Sequence, residues 1–403
     1  MSTSVQSSAS APRLGFPIAM VCIVMVAIDL RPGIVSTGPI LPLIREEFGL
    51  THTVASLLTA IPDLLMGALA LPTPWLARRL GRDRVILAAL GLLFVATLGR
   101  AFANSTALLL VTTAGVGAGI AIAGALIAGF IKARFPTRAA VAMGIYATAL
   151  SVGSTLSAAL TGPVAATSGG WRLASGLWSV LGVVALSAWL YIARRERSDR
   201  GLEASSQRFP LPVGNRTAWL VALFFACQNF LFYACITWLA PLFRESGFGA
   251  TSSGLVLASF TVAFTLANPV FGTLSRNEDR RFLLALSGLL AFAGFALLAV
   301  APTHFPFLAV PILAIGLGGA FTLGMTLPLD NTRGPDEANA WNAFVLTVGY
   351  LIAAGGPFSV GALRDATGSF VPPLWMLAGV AALMLGLTPL LRPHRHPTAV
   401  AGA

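Results

Sequence analysis

The sequence predicts an all-α membrane protein of twelve transmembrane helices arranged as two six-helix bundles. Three observations carry this. The 403-residue chain is 56% hydrophobic and only 10% charged, whereas soluble domains run near ~25% charged residues. Twelve apolar runs are each longer than the roughly 18 residues a spanning helix needs. A polar stretch divides these runs into two sets of six that share motifs.

The spans are expected at 16–44, 52–75, 85–103, 107–131, 139–166, 173–193, 217–243, 250–275, 282–303, 305–329, 338–363 and 370–391. Backbone polar groups inside a bilayer must be satisfied within the segment, and no barrel-like alternation is present, so the spans are helices. The Ser- and Ala-rich residues 1–15 read as a disordered cytoplasmic tail and 392–403 as a second tail. The first bundle is 16–193, the linker 194–216 and the second bundle 217–391. A cleaved signal peptide is not expected, because the first apolar run is long and contains Asp29 and Arg31.

The net charge of +11 reports topology rather than nucleic-acid binding. With the N-terminus inside, loops and tails on the cytoplasmic side hold 20 basic residues and the opposite side five (Arg45, Arg100, Arg172, Arg244 and Arg364), leaving Arg31 within the first span. That asymmetry puts both termini in the cytoplasm of a cell-membrane protein. Cys22, Cys227 and Cys235 lie in spans without metal spacing, and the four histidines, His52, His304, His394 and His396, fall in loops or the tail without forming a ligand set. No nucleophile–base or metal constellation emerges, so no enzyme, cofactor or metal is expected.

The halves repeat. ILPLIREEFGL from Ile40 and WLAPLFRESGF from Trp238 superpose on a shift of 199, matching Pro42 with Pro241, Arg45 with Arg244 and Glu46 with Glu245. Gly162-Pro163 in the fifth span corresponds to Gly356-Pro357 in the eleventh. A parallel six-helix repeat is a transporter architecture. The segment WLARRLGRDR at 75–84 resembles the loop between helices two and three of the major facilitator superfamily. Trp75 replaces the loop's first glycine and Arg78 its acid, which puts that loop's latch in doubt. GTLSRNEDRR at 272–281 is its second-half counterpart, and Gly170-Trp171-Arg172 resembles the superfamily's motif before helix six. Leu30-Arg31-Pro32 with Ser36–Pro42, Lys132-Ala133-Arg134-Phe135, and Gly316–Phe321 with Asp330 resemble the branch of cyanate and 2-nitroimidazole transporters. Asp29 stands where an Asn is usual in that branch. The resemblance implies secondary active transport by alternating access.

Only Asp29, Arg31 and Asp63 are charges well inside the expected spans. An intramembrane charge costs at least ~2.5–3.5 kcal/mol, and such residues usually face a cavity or a partner. Asp29 sits about 20 Å along its helix and Asp63 about 16 Å deep from the other side. Arg31 stays charged and must meet an anion, a carboxylate or water. Pro32-Gly33 beside it predicts an opened backbone. Arg31 is therefore the first solute-binding candidate. The competing expectation is a pair in which Asp63 staples Arg31, leaving Asp29 the freer acid. Either acid is a candidate for proton coupling or an ion pair. The symmetry shift places Gln228 opposite Asp29 with Asn229 beside it, and amides offer uncharged donors and acceptors. Tyr146, Tyr233, Asn342 and Tyr350 complete the candidate substrate-binding set, with Trp238 and Trp341 as further aromatics. In helix four, Gly115 and Gly119 form a GxxxG contact motif.

The chain thus reads as a carrier, expected to be monomeric, of a small polar or anionic solute in the lipid bilayer. The resemblance suggests a cyanate-like anion or a nitroimidazole-like heterocycle. Protons are a candidate second partner and nucleic acid is not. The alternative is a proton-coupled drug or multidrug efflux antiporter, though an exporter of cationic compounds should not centre on an arginine.

Overall fold

The computed structural model describes residues 14–195, 210–275, 279–332 and 335–392, and all regular structure among them is helical. The expected tails and linker lie largely outside the described residues. The first span is α1 (Phe16–Asp29), α2 (Pro32–Val35) and α3 (Thr37–Phe48). Next come α4 (His52–Ala70), the short α5 (Thr73–Leu80), α6 (Arg82–Arg100), α7 (Thr106–Arg134) and α8 (Ala139–Ala165), then a sixth span in two pieces, α9 (Gly170–Gly176) and α10 (Ser179–Arg195). The second half holds α11 (Arg216–Glu245), α12 (Ala250–Leu274), α13 (Arg281–Val300) and α14 (Pro306–Asp330). It closes with α15 (Pro335–Ala353), α16 (Gly355–Thr367) and α17 (Val371–Leu387).

Among the described residues, eleven helical stretches are long and apolar enough to cross a membrane. The twelfth span is α6, whose apolar run lies between Arg82, Asp83 and Arg84 at one end and Arg100 at the other. Together they make a multi-pass all-α membrane protein.

Several boundaries differ from those read in the sequence, and the causes are local. The second span stops at Ala70 rather than 75, because Pro72 and Pro74 interrupt the helical ladder and α5 restarts separately. The third span begins at Arg82 rather than 85. The eleventh span extends to Thr367 but is interrupted at Ala354.

Helix α1 packs on α8 and α10, α4 on α7, and α6 on α7 and α10. In the second half α11 packs on α15, α12 on α14, and α13 on α14 and α17. The GxxxG of α7 brings it against α6, with Gly115 facing Ala96 and Gly119 facing the Ala89 carbonyl. Contacts between the first six spans and the last six run through α3–α11, α4–α15, α4–α16 and α8–α12. The first and last described spans have their outer termini at one end of the molecule, the near end; the ends of α3, α11 and α16 define the far end.

Candidate functional site

The first span is opened where the Pro-Gly pair predicts. Helix α1 stops at Asp29, and α2 restarts at Pro32 with Arg31 as its N-cap residue. Pro32 has no N–H to donate, so the helical ladder is interrupted at this point. The Gly33 carbonyl accepts a hydrogen bond from Arg100 Nη1 at 2.6 Å.

Arg31 reaches out of this break to the second half. Its Nη1 donates to the Tyr233 hydroxyl at 3.5 Å. Tyr233, Tyr350 and Tyr146 all lie within electrostatic reach of the guanidinium. The Tyr350 and Tyr233 rings lie 6.1 Å apart, and the Tyr233 hydroxyl points to Met66 Sδ at 3.7 Å. The structure therefore collects three tyrosines from α8, α11 and α15, in both halves, around one arginine. Tyr146 and Tyr233 are buried, while Arg31 and Tyr350 keep part of their surface accessible.

The expected Arg31–Asp63 pair is not formed. Asp63 is fully buried, and both its carboxylate oxygens lack a hydrogen-bond partner. It lies close enough to act electrostatically on Arg31, Tyr233 and Tyr350. The turn at Leu30–Arg31 departs from a continuous helix, and the arginine is aimed at α11 instead of α4. Asp29 is also buried, with Oδ2 unpartnered.

The amides make bonds within the protein. Gln228 Nε2 donates to the Leu317 carbonyl of α14 at 3.3 Å. Asn229 Nδ2 donates to Gln228 Oε1 at 2.9 Å and to the Phe225 carbonyl at 3.0 Å. Both residues are buried; the Gln228 bond ties α11 to the glycine-rich segment of α14, and the Asn229 bonds stay within α11. Asn342 is partly exposed, two turns before Tyr350 on α15. Trp238 donates from Nε1 to the Pro357 carbonyl at 2.9 Å, and Trp341 is buried.

Three features were not legible beforehand. The first is an aromatic wall in the second half. Phe225 packs edge-on to Tyr350 at 6.1 Å, Phe232 on Tyr233 at 5.3 Å and on Phe264 at 4.8 Å, and Phe264 on Phe321 at 5.8 Å. The count of 25 phenylalanines is the only signal the sequence offered. The second is Arg100, counted from sequence only among the basic residues on the side opposite the cytoplasm, near the end of the third span. It is buried at 5% exposure and bonded to Gly33, Thr37 and Thr113. The third is His52, read as a loop residue. It opens α4, is buried, and places Nδ1 at 2.7 Å from Asp365 and Nε2 at 2.9 Å from Glu245.

His52 belongs to a charged cluster that joins the halves at the far end. Glu245 also accepts from Arg45 at 3.3 Å and from Arg364 at 2.8 Å. Asp365 accepts from the Thr53 backbone N–H at 2.7 Å and hydroxyl at 2.6 Å. Backbones close up around this cluster. A Cβ on Gly38 would stand 2.4 Å from the Ile236 carbonyl, and one on Gly361 would stand 2.6 Å from the His52 carbonyl. Only glycine permits such approach, so the far end is closed by fit as well as by charge. Deeper in the same seam, the Thr59 and Thr237 hydroxyls meet at 2.8 Å, as do those of Thr155 and Thr261 at 3.0 Å. The motif before the sixth span works within the first half: Trp171 and Arg172 both donate to Glu47, at 2.6 and 2.6–2.8 Å. Near the other end Arg280 holds Asp330 through two bonds, Nε at 2.7 Å and Nη2 at 3.2 Å.

The sequence profile of the Major Facilitator Superfamily matches residues 19–357. The chain belongs to that superfamily of transporters. It is 33% identical to the cyanate transport protein CynX of Escherichia coli (strain K12), over 94% of this chain and 98% of that protein. It is 31% identical to the 2-nitroimidazole transporter of the same organism, over 90% and 92% of the two chains. Its fold is shared with a solved bacterial homologue of the human lysosomal transporter Spinster, in an inward-facing and occupied conformation. That match has a TM-score of 0.77 and 20% identity, and it covers 93% of this chain and 95% of the other. The resemblance read from Leu30-Arg31-Pro32 and its companion motifs thus agrees with the curated relatives.

Proposed function

We propose that this transporter carries a small, planar, polar or anionic solute across the cytoplasmic membrane, by rocking its halves 16–193 and 217–391 about Arg31. The observation that carries this reading is Arg31 itself: a guanidinium in the first span bonded to a phenol rather than to a carboxylate. A cation so placed is left free to bind an acceptor edge, and a guanidinium offers a planar fork for doing so. The tyrosine hydroxyls add adaptable donors and acceptors, and the aromatic wall favours a flat face. Cyanate-like anions and nitroimidazole-like heterocycles fit this chemistry, and the named substrates of the two relatives are of these kinds.

A thermal-shift series on purified protein with cyanate and 2-nitroimidazole tests the reading, since a ligand that binds the native state raises its melting temperature. We expect one of the two to stabilise the wild type but not Arg31→Ala. Stabilisation of both proteins alike would refute a site centred on Arg31.

In the proposed orientation both termini are cytoplasmic, and the closed far end faces outside. A cysteine at Ser206 should then resist an impermeant thiol reagent in intact cells and react after permeabilisation. Labelling in intact cells would reverse the orientation.

Coupling to protons would use Asp29 or Asp63, the two buried acids with unpartnered oxygens. Asp29→Asn keeps the shape and removes titration. If Asp29 is the carrier, this variant should retain solute exchange in liposomes and lose accumulation driven by a pH step. Full gradient-driven accumulation would eliminate Asp29 as the proton carrier.

A further inference from the structure

We propose that Arg100 is a positioning residue for solute binding, holding the broken first span so that Arg31 stays aimed at the tyrosines. The inference rests on reading Arg31 as the cation that meets the solute.

Arg100 ends α6, yet its side chain is buried and reaches across two neighbours. Nη1 donates to the Gly33 carbonyl at 2.6 Å and approaches Thr37 Oγ1 at 3.5 Å. Nη2 donates to Thr113 Oγ1 on α7 at 3.0 Å, and that hydroxyl is itself anchored to the Leu109 carbonyl at 2.7 Å. Among the described residues no carboxylate takes part, and Nε has no partner. A guanidinium buried without a counter-charge is a costly way to fill space. What it obtains here is a backbone carbonyl two residues beyond Arg31, just past the break between α1 and α2. The planar fork fixes the distance between that carbonyl and α7. The break is thereby held by α6 and α7, neither of which carries a residue of the arginine–tyrosine cluster. Short helical bonds complete the strut: Ile34 and Val35 N–H both donate to the Arg31 carbonyl at 3.1 Å. A shift of Gly33 would therefore move Arg31 with it.

Hydrogen exchange followed by mass spectrometry on the full-length protein in detergent provides a test independent of any solute. Arg100→Met should speed exchange at the amides of Gly33–Gly38 by tenfold or more while peptides from α11–α17 keep wild-type rates. Thr113→Val, which leaves Arg100 in place but removes one anchor, should act in the same direction by a smaller factor and guards against a methionine variant that fails to fold. Unchanged exchange at 33–38 in both variants would overturn the proposal. Equal acceleration throughout the protein would also overturn it, because that marks general loss of packing. The second arm measures thermal shifts with cyanate and with 2-nitroimidazole as probes. Whichever probe stabilises the wild type should do so at least tenfold less potently in Arg100→Met. Wild-type potency in Arg100→Met would overturn the proposal. If neither probe stabilises the wild type, the substrate reading fails while the exchange result still decides the role of Arg100.

Discussion

Replacing Arg31 with alanine should abolish transport while leaving insertion and expression intact. A charge-assisted hydrogen bond contributes about 1.5–3 kcal/mol. A solute held by two such bonds would lose ~3 kcal/mol or more, which is about 100-fold or more in affinity. The protein itself should tolerate the change, because Arg31 donates to a phenol and no hydrogen bond to a carboxylate is lost. Arg31→Lys should also transport poorly, since an ammonium keeps the charge but cannot present two parallel donors. The pairing test separates this from a structural staple. Had Asp63 held Arg31, the double variant Arg31→Ala/Asp63→Ala would be more stable than either single variant. With the pair absent, the double variant should show no such rescue in thermal unfolding. Near-normal uptake by Arg31→Ala would remove Arg31 from the solute site.

Replacing Glu245 with alanine should open the far end. This one carboxylate accepts from Arg45 and Arg364 and pairs with His52, drawing together α3, α4, α11 and α16. The arginines and Glu245 are partly exposed, with side-chain exposures of 21% for both arginines and 28% for Glu245, so each arginine pair contributes only up to about 1 kcal/mol. Losing both arginine pairs and the His52 hydrogen bond at once, with Arg45 and Arg364 left facing one another, should shift the balance by ~2 kcal/mol. That corresponds to about 30-fold in the ratio of far-end-closed to far-end-open molecules. Paired spin labels at Glu46 and Ser246, in a background without the three buried cysteines, would read the change as a longer-distance population. Gly361→Ala should act in the same direction through a different cause, since its Cβ would meet the His52 carbonyl. An unchanged distance distribution in Glu245→Ala would show that the cluster does not govern closure. Alternating access requires both facing states to be within reach of solute binding energy. A latch of several modest, partly exposed pairs suits that need better than one deeply buried bond.

The amino-acid sequence by itself determined the class, the number of spans and the place where the first helix opens. Hydropathy, backbone satisfaction in lipid and the proline at position 32 act within single segments, so they can be read along the chain. The repeat made Arg45 equivalent to Arg244 and Glu46 to Glu245, but only the structure showed that Arg45 meets Glu245 at the far end. Tertiary structure alone decided which buried charges belong together. Spacing tells which residues share a face of one helix, but the meeting of side chains from different helices depends on mutual register and rotation. A turn at Leu30–Arg31 was enough to direct the guanidinium to Tyr233 instead of Asp63. The same limit hid Arg100 and His52. Each lies at a helix end, where a polar residue looks solvated from sequence, and each is buried because a neighbouring helix covers it. Sequence left Gln228 and Asn229 open between meeting a solute and gluing helices; the register of α14 on α11 gives Gln228 the Leu317 carbonyl, while Asn229 bonds within α11.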